Sequence, residues 1–521
     1  MKIQSFKWPD KWILGLILLG IGLIYLIHLP VSYDFDGTVF SHYLRYALLK
    51  NDLAAAAQPH HPLYMPVNYL IYKGLQVIVG YNVLEYFHLQ LFSLCFGLLT
   101  LWVSYKIIKQ MTDRTWFHFI GTAFIAFIYG TWYYSVEAEV HMAGLFFVAA
   151  GVYLLFFKPG SRDSLKHMAL ASLSFALAAG FHLTNGLIAL SVLFIFIIEK
   201  KSFKKILQFF SCYFFFLLLM LVGSVSAVTG KLDLLRFYKE QLFGKDVLAG
   251  YKISYWTGLS FGSLWDSIKS VAHGLFVPGT PLLSFLSILL LATAAALIIY
   301  AGIKSKNKTY YKLGLWMLPY FIFFTFWDHG NTEFKLNVIL PFIILFTVSA
   351  AVFLQNKTGV LRAGAFTFIF IILLVTFLIN FYFYVKPANQ LQNNRSYLVA
   401  EAIGKATPPQ SVIVIGGCGS DLSIHNKIYI SYFARRKTFI LDWMPGRGLS
   451  LDDIFALVKQ EQAKGTPVYF FSEILHESKT LDQFLKNHNL EAGDYFAFIK
   501  KMDFKEKIPL INGYYLKRLS P

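Results

Sequence analysis

The chain has 521 residues, of which 56% are hydrophobic, 18% aromatic and only 15% charged, with a mean hydropathy of +0.53; that is too apolar for a soluble protein of this size and reads as a polytopic membrane protein. Its three cysteines, Cys95, Cys212 and Cys418, stand far apart and indicate neither a disulfide framework nor a cysteine metal cluster. The formal charge of +18 would suit a nucleic-acid partner, but its distribution along the chain points away from one.

Trp12 to Leu29 is the first apolar run, and without a small-residue cleavage site it reads as an uncleaved first helix. Directly after it stands Tyr33-Asp34-Phe35-Asp36-Gly37, two acids at a membrane edge, where their cost marks them as functional candidates. The loop from about 30 to 83 is long enough for two surface-lying helices. Thr38 to Lys50 carries an apolar stripe at helical spacing, and Leu63 to Val79 is the second candidate. Between them, Gln58-Pro59-His60-His61-Pro62-Leu63-Tyr64 adds His60, His61 and Tyr64 to the same loop.

Further apolar runs fall near 84–105, 116–134, 140–157, 167–181, 183–198, 206–229, 281–303, 313–327, 336–354 and 363–385, giving about eleven spans in all. With the N-terminus cytoplasmic, the loops on that side hold nineteen Lys and Arg residues against ten in the opposite loops. The positive-inside rule then puts Asp34, Asp36, His60, His61, Glu137, Glu139, Asp328 and Glu333 on the outer face. Much of the positive charge is thereby a topology signal.

Three outer elements carry more candidate chemistry. In Ser135-Val136-Glu137-Ala138-Glu139-Val140-His141 an extended turn is expected to aim Glu137, Glu139 and His141 one way, as base, metal ligand or hydroxyl clamp. Gly180-Phe181-His182-Leu183-Thr184-Asn185-Gly186 sets a polar cluster between two apolar runs. The loop Trp327 to Lys335 offers His329 or Lys335 to an anionic headgroup, with Arg236, Lys239 and Lys245 as rival phosphate binders.

Composition changes at Lys386, so 1–385 is expected to be a membrane domain and 386–521 a soluble α/β domain outside the membrane. Ser411–Gly416, Thr438–Leu441 and Pro467–Phe471 read as strands, with helices over Leu422–Ala434 and Leu451–Ala463. Gly416-Gly417-Cys418-Gly419-Ser420 lacks phosphate-loop spacing and reads as a plain strand-to-helix turn.

The outward acids after the first helix, the Pro62-Leu63-Tyr64 segment, Ala138-Glu139-Val140 with Phe146 and Phe147, and Gly180, His182, Leu183 and Thr184 together resemble the GT-C membrane glycosyltransferases. Within them the pattern looks like the bacterial protein O-mannosyltransferase-like family. The motifs cover roughly residues 12 to 200, and hydropathy alone carries the likeness on to 385. The resemblance implies an all-α polytopic bundle with a small C-terminal α/β domain in the bacterial inner membrane. It also implies transfer of a sugar, with inversion, from a polyprenyl-phosphate carrier to a protein, lipid or glycan acceptor on the outer face. Asp36 would be the catalytic carboxylate, Asp34 its assistant and Glu139 the second acid. His60, His61, Tyr64, Glu137, His141, His182, Lys335 and Arg236 would bind substrates. The Asp-Phe-Asp triplet also resembles that of the oligosaccharyltransferase catalytic subunit, which keeps a divalent cation open as an alternative. This sequence departs from the family pattern where His60-His61 replaces Pro-Pro and where Gly37-Thr38 follows Asp36.

The chemistry is coherent without the family: displacing a lipid phosphate needs a base on the acceptor hydroxyl and donors for the departing oxygen. A transporter or lipid flippase is the rival reading. It expects ionisable or helix-breaking features near the middle of the spans, and the predicted span interiors hold no Asp, Glu, Lys or Arg away from their ends.

Overall fold

The computed structural model describes residues 10–56, 61–160, 164–229, 258, 260–305, 309–355, 359–443 and 449–520. They form two compact units: residues 31–46 and 390–520 make one, and the remaining described residues the other. The units divide between Asn389 and Gln390, and residues 31–46 group with the C-terminal layer.

The first unit is helical. In chain order the helices are α1 (Asp10–Ile27), α2 (Phe35–Lys50, most of which belongs to the second unit), α3 (Tyr64–Val79), α4 (Glu85–Met111), α5 (Thr115–Phe127), α6 (Tyr129–Val136), α7 (His141–Val152), α8 (Leu165–Phe181), α9 (Ile188–Ile198) and α10 (Phe203–Thr229). They continue with α11 (Phe261–His273), α12 (Pro281–Ser305), α13 (Tyr310–Trp327), α14 (Leu336–Leu354) and α15 (Gly359–Asn380). Every expected apolar run is helical. Among the described residues, however, six helices are long and apolar enough to cross a membrane, or seven if the bent α5–α6 pair is one span.

Most of the shortfall from eleven has a local cause. The segments His141–Phe157, Leu165–Phe181 and Leu183–Ile198 are apolar but short, and His182 interrupts the last two. Between α5 and α6 the axis turns by 65° at the extended residue Ile128. The amides freed there are satisfied by the chain after α11: Tyr129 N–H donates to Leu275 O at 3.2 Å and Gly130 N–H to Gly274 O at 2.9 Å. Burial ranks the spans. The window ending α14 is 89% buried and central, whereas those of α1, α12 and α15 are each 17% buried and peripheral.

The second unit is an α/β layer. Helix α16 (Arg395–Ala406) precedes β1 (Val412–Ile415), α17 (Asp421–Tyr429), β2 (Lys437–Ile440), α18 (Leu451–Ala463) and β3 (Val468–Phe471). Then follow α19 (Lys479–His488), α20 (Ala492–Lys500), β4 (Phe504–Pro509) and β5 (Tyr515–Leu519). The sheet order is β2-β1-β3-β5-β4, with β1 parallel to β2 and β3, and β5 antiparallel to β3 and β4. The two strand–helix–strand connections force that parallel core. The glycine turn after β1 is a strand-to-helix turn, closed by Ser420, whose side chain accepts from Ser423 N–H and caps α17.

Candidate active site

In the first unit, two motifs far apart in sequence meet. Leu63 N–H donates to Gly180 O at 2.9 Å, and the His61 ring nitrogen Nδ1 lies 3.3 Å from Phe181 O. A carbonyl only accepts, so His61 Nδ1 carries a proton. Gly180 permits the approach: a methyl group there would lie 2.6 Å from Leu63 Cδ1 and would collide with Met220 Sδ.

His182 then ends α8 and caps the 3-10 turn Leu183–Leu187. Its Nδ1 accepts from Thr184 N–H at 3.3 Å and lies 2.6 Å from Thr184 Oγ1. An amide N–H can only donate, so Nδ1 is unprotonated and the ring is the neutral tautomer with its proton on Nε2. His182 stands 4.8 Å from His61 and 5.1 Å from His141, ring centre to ring centre.

The turn between α6 and α7 supplies the acids. Glu139 is buried. His141 Nε2 lies 4.0 Å from Glu139 Oε2 and 3.6 Å from Glu333 Oε2. Glu137 does not join them, contrary to the extended-turn expectation. A tight Glu139 N–H to Glu137 O bond of 2.9 Å and the helical Val140 break the alternation. Glu137 instead accepts from the Tyr86 hydroxyl at 2.6 Å and the Tyr384 hydroxyl at 3.3 Å. Tyr64 is fully buried and edge-on to Phe92, with ring centres 5.7 Å apart.

Phe334 forms the aromatic wall. It stacks on Phe324 at 4.9 Å and on Trp327 at 5.4 Å, and its ring lies 5.9 Å from His182 and 6.1 Å from His141. Lys335, expected to meet a headgroup, is fully buried, and its ammonium donates to Phe324 O at 3.2 Å and Asp328 O at 3.1 Å. It caps the C-terminal carbonyls of α13, so the headgroup role is withdrawn. In the loop between α13 and α14, burial pushes the Asp328 carboxyl above its ordinary range, helped by nearby Glu333 and opposed by Asn331 and Lys335.

Asp34 and Asp36 belong to the second unit. Asp34 caps α2: its Oδ2 accepts from Asp36 N–H at 3.0 Å, and its carbonyl accepts from Thr38 N–H at 3.0 Å and from the Thr38 hydroxyl at 2.7 Å. Asp36 falls in the first helical turn, where a negative side chain is favoured. His60 and Arg236 lie outside the described residues.

His61, His141, His182 and Glu139 stand out in the sequence, whereas Tyr86 and Tyr384 look like ordinary aromatics within apolar runs. Glu333 was legible only as part of a short mixed-charge loop. Among the described residues no group of three or more His, Cys, Asp or Glu side chains is arranged to hold a metal ion.

These apolar helices make the chain a multi-pass integral membrane protein, and its arrangement of helices with a C-terminal sheet is the fold of several solved structures. It is similar to the crystal structure of ArnT from Cupriavidus metallidurans, with 12% identity over 98% of both chains and a TM-score of 0.62. The same enzyme bound to undecaprenyl phosphate gives a TM-score of 0.59, again at 12% identity and 98% of both chains. An oligosaccharyltransferase from Archaeoglobus fulgidus gives 0.58, at 12% identity over 99% of this chain and 75% of its own. No sequence-family model and no curated relative matches the chain.

Proposed function

We propose that the protein is a membrane glycosyltransferase that moves a sugar from a polyprenyl-phosphate carrier to an acceptor hydroxyl of a protein, lipid or glycan on the outer face. The observation that carries this reading is the end-to-end fold match to an enzyme solved with undecaprenyl phosphate bound. A topology of about eleven spans, with a cytoplasmic N-terminus and the α/β layer outside, is part of the same proposal.

In the reaction proposed, Asp36 takes the proton from the acceptor hydroxyl. That oxygen bonds to the anomeric carbon as the bond from that carbon to the phosphate oxygen breaks, so the configuration inverts and the lipid phosphate leaves. Asp34 holds the start of α2 and thereby the Asp36 backbone. Glu139, His141 and His182 are assigned to the sugar. Two carboxylates flanking His141 disfavour an anion there and suit hydroxyls, which donate to Glu139 and accept from His182 Nε2–H.

Mass analysis of lipids from a deletion strain tests the reading. A polyprenyl-phosphate sugar should accumulate and one glycan or glycolipid should disappear. An unchanged lipid and glycan profile would refute the transferase, and build-up of a free sugar on one side of the membrane would favour the transporter.

A further inference from the structure

We infer that the α/β layer is the positioning element for Asp36, with Asn394 and Tyr429 clamping the backbone of Val31, Ser32 and Tyr33 and so fixing where α2 begins. The inference rests on the reading of Asp36 as the catalytic carboxylate.

Asn394 works in two directions. Its Oδ1 accepts from Tyr397 N–H at 3.0 Å and caps α16, while its Nδ2 donates to Val31 O at 3.1 Å and Ser32 O at 2.6 Å. The amide orientation is fixed, because a backbone N–H can only donate. The Tyr429 hydroxyl, at the end of α17, lies 3.1 Å from Ser32 O and also bonds Tyr33 O. Three consecutive carbonyls just ahead of Asp34 are therefore held from the C-terminal layer.

Tyr33 itself has φ +49°, an uncommon conformation for a residue with a Cβ. Such a residue persists where its surroundings over-determine it. Here its ring packs against Phe433 at 4.9 Å and Tyr397 at 5.6 Å, alongside the buried core of α16, β1 and α17. Further along α2, Arg45 donates to Tyr432 O at 2.6 Å and sits 3.9 Å over the Tyr432 ring. Asp34 and Asp36 lie between these two anchors in the chain. The left-handed turn at Tyr33 sets the chain so that Asp34 becomes the cap and Asp36 falls in the first turn.

The test uses the full chain in lipid nanodiscs, with Asn394→Ala, Asn394→Asp and Tyr429→Phe. Asn394→Asp keeps the α16 cap and loses the donors to Val31 and Ser32, which separates the clamp from the fold of the layer. Hydrogen exchange of the Asp36 and Thr38 amides should quicken at least tenfold in all three variants, while β1 and β3 keep wild-type exchange in Asn394→Asp and Tyr429→Phe. With the lipid-linked sugar that accumulates in the deletion strain as probe, kcat should fall about tenfold at unchanged KM. Wild-type exchange over residues 31–46, or faster exchange with wild-type kcat, overturns the inference. Asp36→Asn serves as control: if it keeps wild-type turnover, the catalytic assignment of Asp36 fails, whatever the exchange data show for the clamp.

Discussion

Gly180→Ala probes whether the docking of the His61 segment on the His182 turn matters for the reaction. The added methyl would collide with Met220 Sδ and lie 2.6 Å from Leu63 Cδ1, where ordinary carbon contacts begin near 3.5 Å. The Leu63 backbone is held by its N–H bond to Gly180 O at 2.9 Å, so relief has to come from the side-chain ends of Leu63 and Met220. Overpacking of this kind costs roughly 1–3 kcal/mol. If about 1.4 kcal/mol of it opposes the docked state, the equilibrium between docked and undocked states, and with it the seating of His61 on Phe181 O, shifts about tenfold toward the undocked. Lipid-linked sugar should then accumulate in a deletion strain carrying Gly180→Ala, with purified enzyme slower by up to about tenfold. Adding Met220→Ala removes the more severe clash and should restore most of the rate. Wild-type turnover for Gly180→Ala, or no recovery in the double variant, would refute the packing argument.

Two further outcomes follow from other atoms. Thr184→Val removes the shorter partner of His182 Nδ1 while keeping side-chain shape. With one hydrogen bond lost, turnover should fall about fivefold and Thr184→Ser should recover it; equal rates for the Val and Ser variants would contradict a role for the Thr184 hydroxyl in holding His182. In the α/β layer, burial pushes the Glu473 carboxyl up to about 7 from an ordinary 4.5, against hydrogen bonds from Ser423 and Ser420 that lower it. The folded state therefore binds this proton more tightly than the unfolded state, and its contribution is lost as pH rises from about 4.5 to about 7. The loss is on the order of 3 kcal/mol. Glu473→Gln should flatten that decline, read as protection of β1 and β3 amides from exchange at pH 5 and 8; an equally steep decline in the variant would refute it.

The helices were legible because apolar runs and their breaks are local. The strands β1, β2 and β3 came from short β-branched runs between turn signals. β4 and β5 were missed, because Phe504–Pro509 and Tyr515–Leu519 are rich in Lys, Glu and Arg and show no continuous apolar run. Of the site, His61, His182, His141 and Glu139 declared themselves as polar residues in apolar surroundings. The diversion of Glu137 to Tyr86 and Tyr384 did not, since it depends on one helical residue, Val140. Lys335 misled for a similar reason: a cation in an outer loop looks like a headgroup ligand until its carbonyl partners are visible. The grip of Asn394 and Tyr429 on Val31, Ser32 and Tyr33 joins positions more than 350 residues apart and leaves no local pattern.

The most direct measurement of the central claim is transfer by purified Asp36→Asn in nanodiscs, using the lipid-linked sugar that accumulates in the deletion strain. The side chain keeps its size and its place in the first turn of α2 but loses its basicity. The account predicts that transfer falls by at least 100-fold while hydrogen exchange of α2 and the sheet stays as in the wild type. Undiminished transfer by a folded Asp36→Asn protein would contradict it.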